Sequence, residues 1–284
     1  MNNSIHFLNT GNSDCIILES NGHFAMIDAA EDTEYPPDKP HLKLKGYEEV
    51  VCGYLLKNCA DENDVVTLDF ILGTHCHSDH IGGFDTVINH PNIIVKKAFL
   101  KPYHEETIFI MERKRWDNKE VYMQMKNALD KNNVTIVEDF DNFKMKLGEF
   151  DITFLNGTYK KPKFKFGENV NSVVTLIELN GLKALLAGDM NYKNGGEKLI
   201  ADKVGKVDLL KVGHHGYIGS TSSDFLKKLK PEYAIICNSS SRVYPDVRFK
   251  LNHISKSKIY CTADCGGVKA VFKEKICISS NIMD

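Results

Sequence analysis

The sequence lacks three features that would place it in a special class of protein. It contains no run of about 18 apolar residues, so the chain is not expected to cross or enter a membrane. Its eight cysteines form no CxxC pair and are too sparse for a disulfide-stabilised secreted domain. Basic and acidic residues nearly balance, 36 against 38, so no overall positive field attracts a nucleic-acid backbone. The composition therefore predicts an ordinary folded protein.

The sequence contains few signals for a cellular location or for a boundary between domains. The amino terminus has no basic segment followed by an apolar stretch, so a cytoplasmic location with reduced thiols is expected. The densest basic patch (Lys160, Lys161, Lys163 and Lys165) is interpreted as a solvated loop. No linker-like segment interrupts the middle of the chain, so residues 1–284 are expected to form one domain.

Apolar patterns predict strands and helices mixed in both halves of the chain. Two strands are predicted within residues 5–29, and the longest helix is predicted over residues 105–132. Further strands are predicted at 68–72, 93–100, 134–138, 151–155, 172–179, 182–187, 207–212, 233–237, 258–261, 268–272 and 276–279. Further helices are predicted at 47–59, 83–90, 195–204 and 222–230. This alternation predicts two stacked sheets with helices outside.

The segment from Thr74 to Gly83 carries the strongest chemical signal. Three histidines and an aspartate fall within six residues, directly after a strand that is predicted to be buried: His75, His77, Asp79 and His80. Imidazole nitrogen and carboxylate oxygen together suit zinc, and also manganese or iron. A histidine-rich surface loop is the alternative, but this order of residues at the end of an apolar strand favours a metal site.

This HxHxDH pattern resembles the signature of the metallo-β-lactamase superfamily. The resemblance implies an α+β fold, the αβ/βα four-layer sandwich, and two divalent metal ions that share a water or hydroxide. His75 and His77 are then expected to hold the first metal, and Asp79 and His80 the second. Zn²⁺ is the expected ion, with Mn²⁺ or Fe²⁺ compatible with the same ligands.

The resemblance also directs attention to residues further along the chain. Asp189, at the end of the strand-like Leu185–Gly188 segment, matches the metal-bridging carboxylate. His214 is favoured over His215 as the last ligand because it comes first after its strand, which leaves His215 to hold substrate or donate a proton. Asp28 matches an aspartate that supports a histidine ligand through a hydrogen bond. Asp14 has either a turn-stabilising or a site role.

One ligand of the resembled family is missing from this sequence. Many members use a third histidine for the first metal, but no histidine occurs between residues 105 and 189. Asn171 is the best positional substitute, and His104 lies in the wrong segment. Since an amide oxygen is a weaker ligand than imidazole, the first metal is expected to be held less tightly than the second.

Two narrower resemblances suggest a reaction. One is to the hydrolase domain of competence-type DNA-uptake proteins. The other covers residues 4–230 and is to catalytic domains of the pneumococcal phosphorylcholine esterase type, through stretches such as Leu68–His75 and Trp116–Asn118. It implies a binuclear zinc phosphodiesterase or phosphoesterase that acts on a small phosphoester. The aromatic-rich choline-binding repeats of that esterase are absent from this sequence.

The expected catalytic residues are Asp79, which would orient a metal-activated hydroxide, and His215, which would stabilise the transferring group. Asn171, Tyr217 and Trp116 are the candidates for contact with substrate, although packing is the favoured role for the aromatic rings. Three alternatives stay open. They are a nuclease acting on single-stranded DNA, hydrolysis of a lactam, lactone or thioester, and a non-catalytic metal-binding protein on the same scaffold. A redox member of the resembled superfamily, with a di-iron centre, is a fourth.

Overall fold

Two β-sheets stacked face to face form the centre of the molecule, which is a computed structural model describing residues 2–161, 167–192 and 196–283. Among these residues the strands are β1 (Asn3–Phe7), β2 (Cys15–Ser20), β3 (His23–Ala29), β4 (Val66–Gly73), β5 (Ile93–Val95), β6 (Lys97–Leu100), β7 (Thr135–Val137), β8 (Lys144–Leu147), β9 (Phe150–Leu155), β10 (Val174–Leu179), β11 (Leu182–Leu186), β12 (Leu209–Lys211), β13 (Tyr233–Ile236), β14 (Lys258–Cys261), β15 (Val268–Phe272) and β16 (Ile276–Ser280). The α-helices are α1 (Glu48–Cys59), α2 (Ser78–Ile81), α3 (Phe84–Asn89), α4 (Ile110–Arg115), α5 (Asn118–Lys131), α6 (Gly196–Val204), α7 (Ser223–Leu229) and α8 (Pro245–Lys250).

The order of strands brings several strand ends to one edge of the stacked sheets. The first sheet has the order β16-β15-β1-β2-β3-β4-β6-β7, with β5 also pairing with β4. The second has the order β14-β13-β12-β11-β10-β9-β8. Strands β3, β4 and β6 are parallel neighbours, and so are β11, β12 and β13. Because parallel strands end at the same edge, the loops after β3, β4, β11 and β12 can meet there.

Alternating side chains divide the core into three layers. Phe70 and Leu72 of β4 point into the space between the sheets, whereas Leu68 and Ile71 point to the helices on the other face. Phe70 packs edge-to-face against Phe99 of β6, with ring centroids 5.7 Å apart. Helices α1, α3 and α5 cover the first sheet, and α6, α7 and α8 cover the second. The predicted four-layer sandwich is therefore confirmed.

The structure departs from the predicted elements in several places. Residues 5–29 belong to three strands rather than two, because the segment before the Gly11 loop pairs as β1. The helix predicted over 105–132 is interrupted at Trp116, which is extended and separates α4 from α5. Met111 is 62% exposed, so the apolar spacing in α4 does not mark a core face. Strand β8, helix α8 and the π-helical turn at Leu251–Ser255 were not predicted.

Lys163 and Lys165 of the basic patch lie outside the described residues, as does the first residue of the predicted helix 195–204. Within the described part of the chain, no helix combines the length and apolar character needed to cross a membrane.

Candidate metal centre

The loops at the common edge of the two sheets bring the predicted site residues together. The contributing side chains are Asp28 near the end of β3, His75 and His77 after β4, Asp79 and His80 in α2, Asp189 after β11, and His215 after β12. Two glycines after α2 let its carboxyl end pack closely on the end of β3. A Cβ on Gly83 would collide with the carbonyl oxygen of Ala29, which explains the need for glycine there.

His75 and His77 face each other at one side of the centre, which we call the first site. His75 Nε2 and His77 Nδ1 are 3.1 Å apart, so both nitrogens point into the same space. Their other nitrogens point outward. His75 Nδ1 is 3.1 Å from Thr74 Oγ1, and His77 Nε2 is 3.3 Å from Glu112 Oε1. Histidine ligands of metals commonly use this arrangement, with one nitrogen inward and the other held by a polar group.

His80, His215, Asp79 and Asp189 surround a neighbouring space, which we call the second site. His80 Nε2 lies 3.2 Å from His215 Nε2 and 3.2 Å from Asp189 Oδ1. His215 Nε2 is 3.3 Å from Asp79 Oδ2. His80 and Asp189 are buried, whereas the Asp79 side chain is 24% exposed and can be reached from the cavity described below.

Asp28 holds His80 in place. Its carboxylate accepts hydrogen bonds from the Thr74 backbone N–H and hydroxyl, at 2.8 and 2.7 Å. His80 Nδ1 is 2.7 Å from Asp28 Oδ2, which leaves His80 Nε2 free to face the second site. Asp28 therefore orients a ring whose other nitrogen is turned to the candidate metal position.

Asp14 and Lys211 form a buried ion pair beneath the second site. Lys211 Nζ contacts Asp14 Oδ2, donates to the carbonyl oxygen of Gly188 at 3.0 Å and lies 3.9 Å from Asp189 Oδ1. Asp14 has ligand-type atoms within 4.8 Å of those of His80, Asp189 and His215. The structure therefore places Asp14 directly beside the second site. Sequence analysis gave Lys211 no role, although a lysine inside a buried strand pattern is an available signal.

The structure places His215, not His214, within the second site, contrary to the order-based preference. Both residues adopt left-handed backbone angles, with φ of 49° and 48°. This tight turn sends the two rings in different directions. His215 Nδ1 lies 3.2 Å from the carbonyl oxygen of Cys237, which turns Nε2 to the cluster, while His214 lies on the cavity wall.

The carboxylates and histidines of the second site shift one another's ionisation strongly. Burial alone would lower the pKa of His80, but Asp189 and Asp28 raise it well above its ordinary value. Asp189 and Asp14 likewise raise the pKa of His215, against the effect of burial. Burial and the neighbouring His80 lower the pKa of His75. These shifts show that the buried carboxylates favour positive charge at the position where a divalent cation would bind.

The donor set fits two divalent metals. The first site offers two imidazole nitrogens, and the second offers two imidazole nitrogens and two carboxylates, which are the ligands of binuclear hydrolytic centres. Asp189 Oδ1 is buried and lies 3.2 Å from His80 Nε2 and 3.4 Å from His215 Nε2, so the inward atoms of all three side chains share one space. A cluster of two buried carboxylates and two imidazole nitrogens that converge in this way suits a divalent cation.

A cavity of about 450 Å³ opens directly onto both sites. Its wall includes Trp116 and Tyr217, so both aromatic residues predicted to contact substrate reach it. Asn171 does not line the cavity, because its side chain accepts from Lys160 N at 2.8 Å and donates to Glu168. His104 packs against Tyr159 instead of joining the centre.

Glu112, Asn169 and Glu31 also line this cavity, and the sequence analysis did not single them out as site residues. No motif marks them, since each comes from a segment that the HxHxDH pattern does not include. Burial and the nearby Asp79 raise the pKa of Glu31 to about 8.

The chain belongs to the metallo-β-lactamase superfamily. The model of the "Metallo-beta-lactamase superfamily" matches residues 8–239, which include every residue of the two sites. This family binds divalent metals through such sites and includes hydrolytic enzymes, in agreement with the donor set.

Curated relatives are longer proteins. The chain is 28% identical over 221 residues to Recombination protein 2 of Haemophilus influenzae and 26% identical over 180 residues to ComE operon protein 3 of Bacillus subtilis. These matches cover 74% and 62% of this chain, but only 23% and 21% of the relatives. The matched part thus spans under a quarter of either relative.

Solved structures show the same fold. The metallo-β-lactamase fold protein YhfI from Bacillus subtilis has a TM-score of 0.55 and 11% identity, covering 90% of this chain and 95% of its own. CmlA, a diiron β-hydroxylase from Streptomyces venezuelae, has the same TM-score and identity, covering 96% of this chain and 54% of its own. At this identity the likeness concerns the fold alone.

Proposed function

We propose that this protein is a binuclear metal-dependent hydrolase that cleaves phosphoesters, most readily phosphodiesters. The observation that carries the proposal is the pair of adjoining sites, with their inward-facing nitrogens and carboxylates, at the base of one open cavity. Two divalent cations there would supply charge neutralisation for a phosphoryl group and a hydroxide at neutral pH. Lactam, lactone and thioester hydrolysis is less favoured because the third histidine of the first site is missing.

The chain's own residues suggest how such a substrate would be held. Asp79 is the more exposed of the two carboxylates of the second site and can orient the attacking water. His214 Nδ1 is buried, makes no hydrogen bond to any described residue, and belongs to a residue of the cavity wall. We assign His214 to substrate binding and His215 to the second metal. Tyr217, whose hydroxyl donates to Asn12, forms the adjacent wall.

A nuclease is the second candidate, and two observations favour it. A neighbouring cavity of about 350 Å³ shares Asn12, Glu31 and Leu44 with the first and adds the basic side chains of Lys45 and Arg242. A basic surface beside the centre suits a further phosphate of an extended chain. The name of one curated relative, Recombination protein 2, refers to recombination, which agrees with a nucleic-acid substrate.

The test compares hydrolysis of bis(p-nitrophenyl) phosphate, p-nitrophenyl phosphorylcholine and a single-stranded oligonucleotide by the zinc- or manganese-loaded protein. We expect turnover of at least one phosphodiester and a loss of at least about a hundredfold in Asp79→Asn. Asp61→Asn is the control, because Asp61 lies in an exposed turn where it accepts from Asn63 N and Val65 N. No turnover of any of these substrates, or full turnover in Asp79→Asn, contradicts the proposal.

A further inference from the structure

The first site offers two histidines, and the turn at Glu168–Asn171 lies beside it. Ser172, which follows this turn, has its hydroxyl 3.4 Å from His75 Nδ1 and accepts from Asp189 N at 3.0 Å. Val173 N donates to the carbonyl oxygen of Thr74 at 3.0 Å. The turn is therefore tied both to the loop that carries His75 and to the loop that carries Asp189.

The two asparagines of this turn differ in what their side chains do. Both polar atoms of the Asn171 side chain are used, by Lys160 N and by Glu168 Oε2. Asn169 lines the cavity together with His77 and Asp189, and its Oδ1 is buried with no hydrogen-bond partner among the described residues. A buried amide oxygen without a partner is costly, so a ligand that satisfies it would be stabilising.

Glu112 fastens this turn to the first site. Its Oε1 accepts from Glu168 N at 2.9 Å and from Asn118 Nδ2 at 3.1 Å, and lies 3.3 Å from His77 Nε2. The same carboxylate oxygen thus holds the residue before Asn169 and the outer nitrogen of a first-site histidine. A Cβ on Gly167 would meet the Glu112 carboxylate, so the chain before the turn also packs closely on it.

We propose that Asn169 Oδ1 is the third protein ligand of the first metal, and that Glu112 is the positioning residue that holds both Asn169 and His77 for it. This inference rests on the proposed binuclear centre, and it specifies which residue completes the ligand set of the first site, where the metal is held less tightly. Amide oxygens bind divalent cations, although zinc prefers imidazole. The first site therefore holds its metal through a ligand set that one substitution can strengthen.

The experiment measures zinc bound per chain while a competing chelator is raised, with circular dichroism as a check of folding. Wild-type protein is expected to bind two zinc ions and to release one first. Asn169→Ala should release that ion at about a tenfold lower chelator concentration, and Glu112→Gln should act in the same direction. Asn169→His, which installs the missing imidazole, should retain the ion to at least about a tenfold higher concentration.

Asn171→Ala is the matched control, since it changes the same residue type in the same turn without touching the cavity. It should keep the wild-type release curve. Wild-type curves in both Asn169→Ala and Asn169→His overturn the inference while leaving the binuclear centre intact. A wild-type protein that binds no zinc overturns the proposed function instead. If Asn169→Ala fails to fold, the zinc-release curve of Asn169→His tests the inference by itself.

Discussion

At the residue scale, the orientation of each histidine ring depends on the atom that holds its outer nitrogen. His80 is held by Asp28, His77 by Glu112 and His215 by the carbonyl oxygen of Cys237. These partners differ in charge, so they differ in how much they increase the basicity of the inward nitrogen. The carboxylate partners of His80 and His77 should increase metal affinity more than the carbonyl partner of His215 does.

Asp28→Asn should weaken binding of the second metal by about ten- to a hundredfold, because an amide cannot replace the carboxylate that holds His80 Nδ1. Asp69→Asn is a closely matched control. Asp69 Oδ2 is also 2.7 Å from a histidine, His23 Nδ1, but that pair lies away from the centre. Metal affinity from competition with a fluorescent chelator measures both variants. Equal affinities in the two variants would show that Asp28 does not orient His80.

At the scale of elements, the short helix α2 carries two ligands although four residues give a helix little stability of its own. Contacts at its carboxyl end compensate for this. A Cβ on Gly82 would lie 2.6 Å from Asp32 N, and one on Gly83 would meet the carbonyl oxygen of Ala29 and lie 3.3 Å from Glu48 Cγ. Close backbone packing on β3 and α1 therefore fixes the direction of α2.

Gly83→Ala should lower the free energy of unfolding by about 1–3 kcal/mol and also weaken the second metal, because α2 must move away from β3. Gly53→Ala is expected to change the free energy of unfolding in the opposite direction. A Cβ there meets nothing within 4 Å, so alanine in the middle of α1 should raise stability by about 0.5–1 kcal/mol. Chemical denaturation of both variants tests the pair. An unchanged free energy of unfolding in Gly83→Ala would show that the close approach of α2 to β3 is not needed.

At the scale of the whole molecule, a buried carboxyl pair behind the centre makes stability depend on pH. Burial raises the pKa of Asp32 to about 8, with Glu48 adding to the shift and a hydrogen bond from Glu34 N opposing it. An acid whose pKa is raised by folding costs stability when it ionises. The Asp32 contribution is therefore favourable below about pH 4 and is lost as pH rises to about 8.

Asp32→Asn should remove this cost. The free energy of unfolding of the variant, relative to that of wild type, should therefore rise by about 1–3 kcal/mol from pH 5 to pH 8.5. Urea denaturation of the metal-free protein at the two pH values measures the difference. Glu49→Gln, an exposed change on α1, should show no such difference. If the difference in free energy of unfolding between wild type and Asp32→Asn is the same at both pH values, the raised pKa of Asp32 is contradicted.

Much of the fold could be predicted from the sequence because its signals are local. The apolar run before His75, the turn at Asn180-Gly181 and the helix pattern at 222–230 each depend on neighbouring residues, and the structure has β4, the β10–β11 hairpin and α7 there. The prediction of one helix over residues 105–132 was wrong because the chain is extended at Trp116. The apolar periodicity of this segment does not reveal that Glu112 contacts His77.

The sequence by itself determined the candidate metal chemistry, since residue types at strand ends are enough to propose which atoms could bind a metal and roughly where. Only the tertiary structure decided which of two equivalent side chains occupies each position. His215 rather than His214 faces the second site because two left-handed residues turn the chain there. Asn169 rather than Asn171 faces the cavity because Lys160 and Glu168 occupy the other amide. Such choices depend on partners distant in the chain, which no local pattern records.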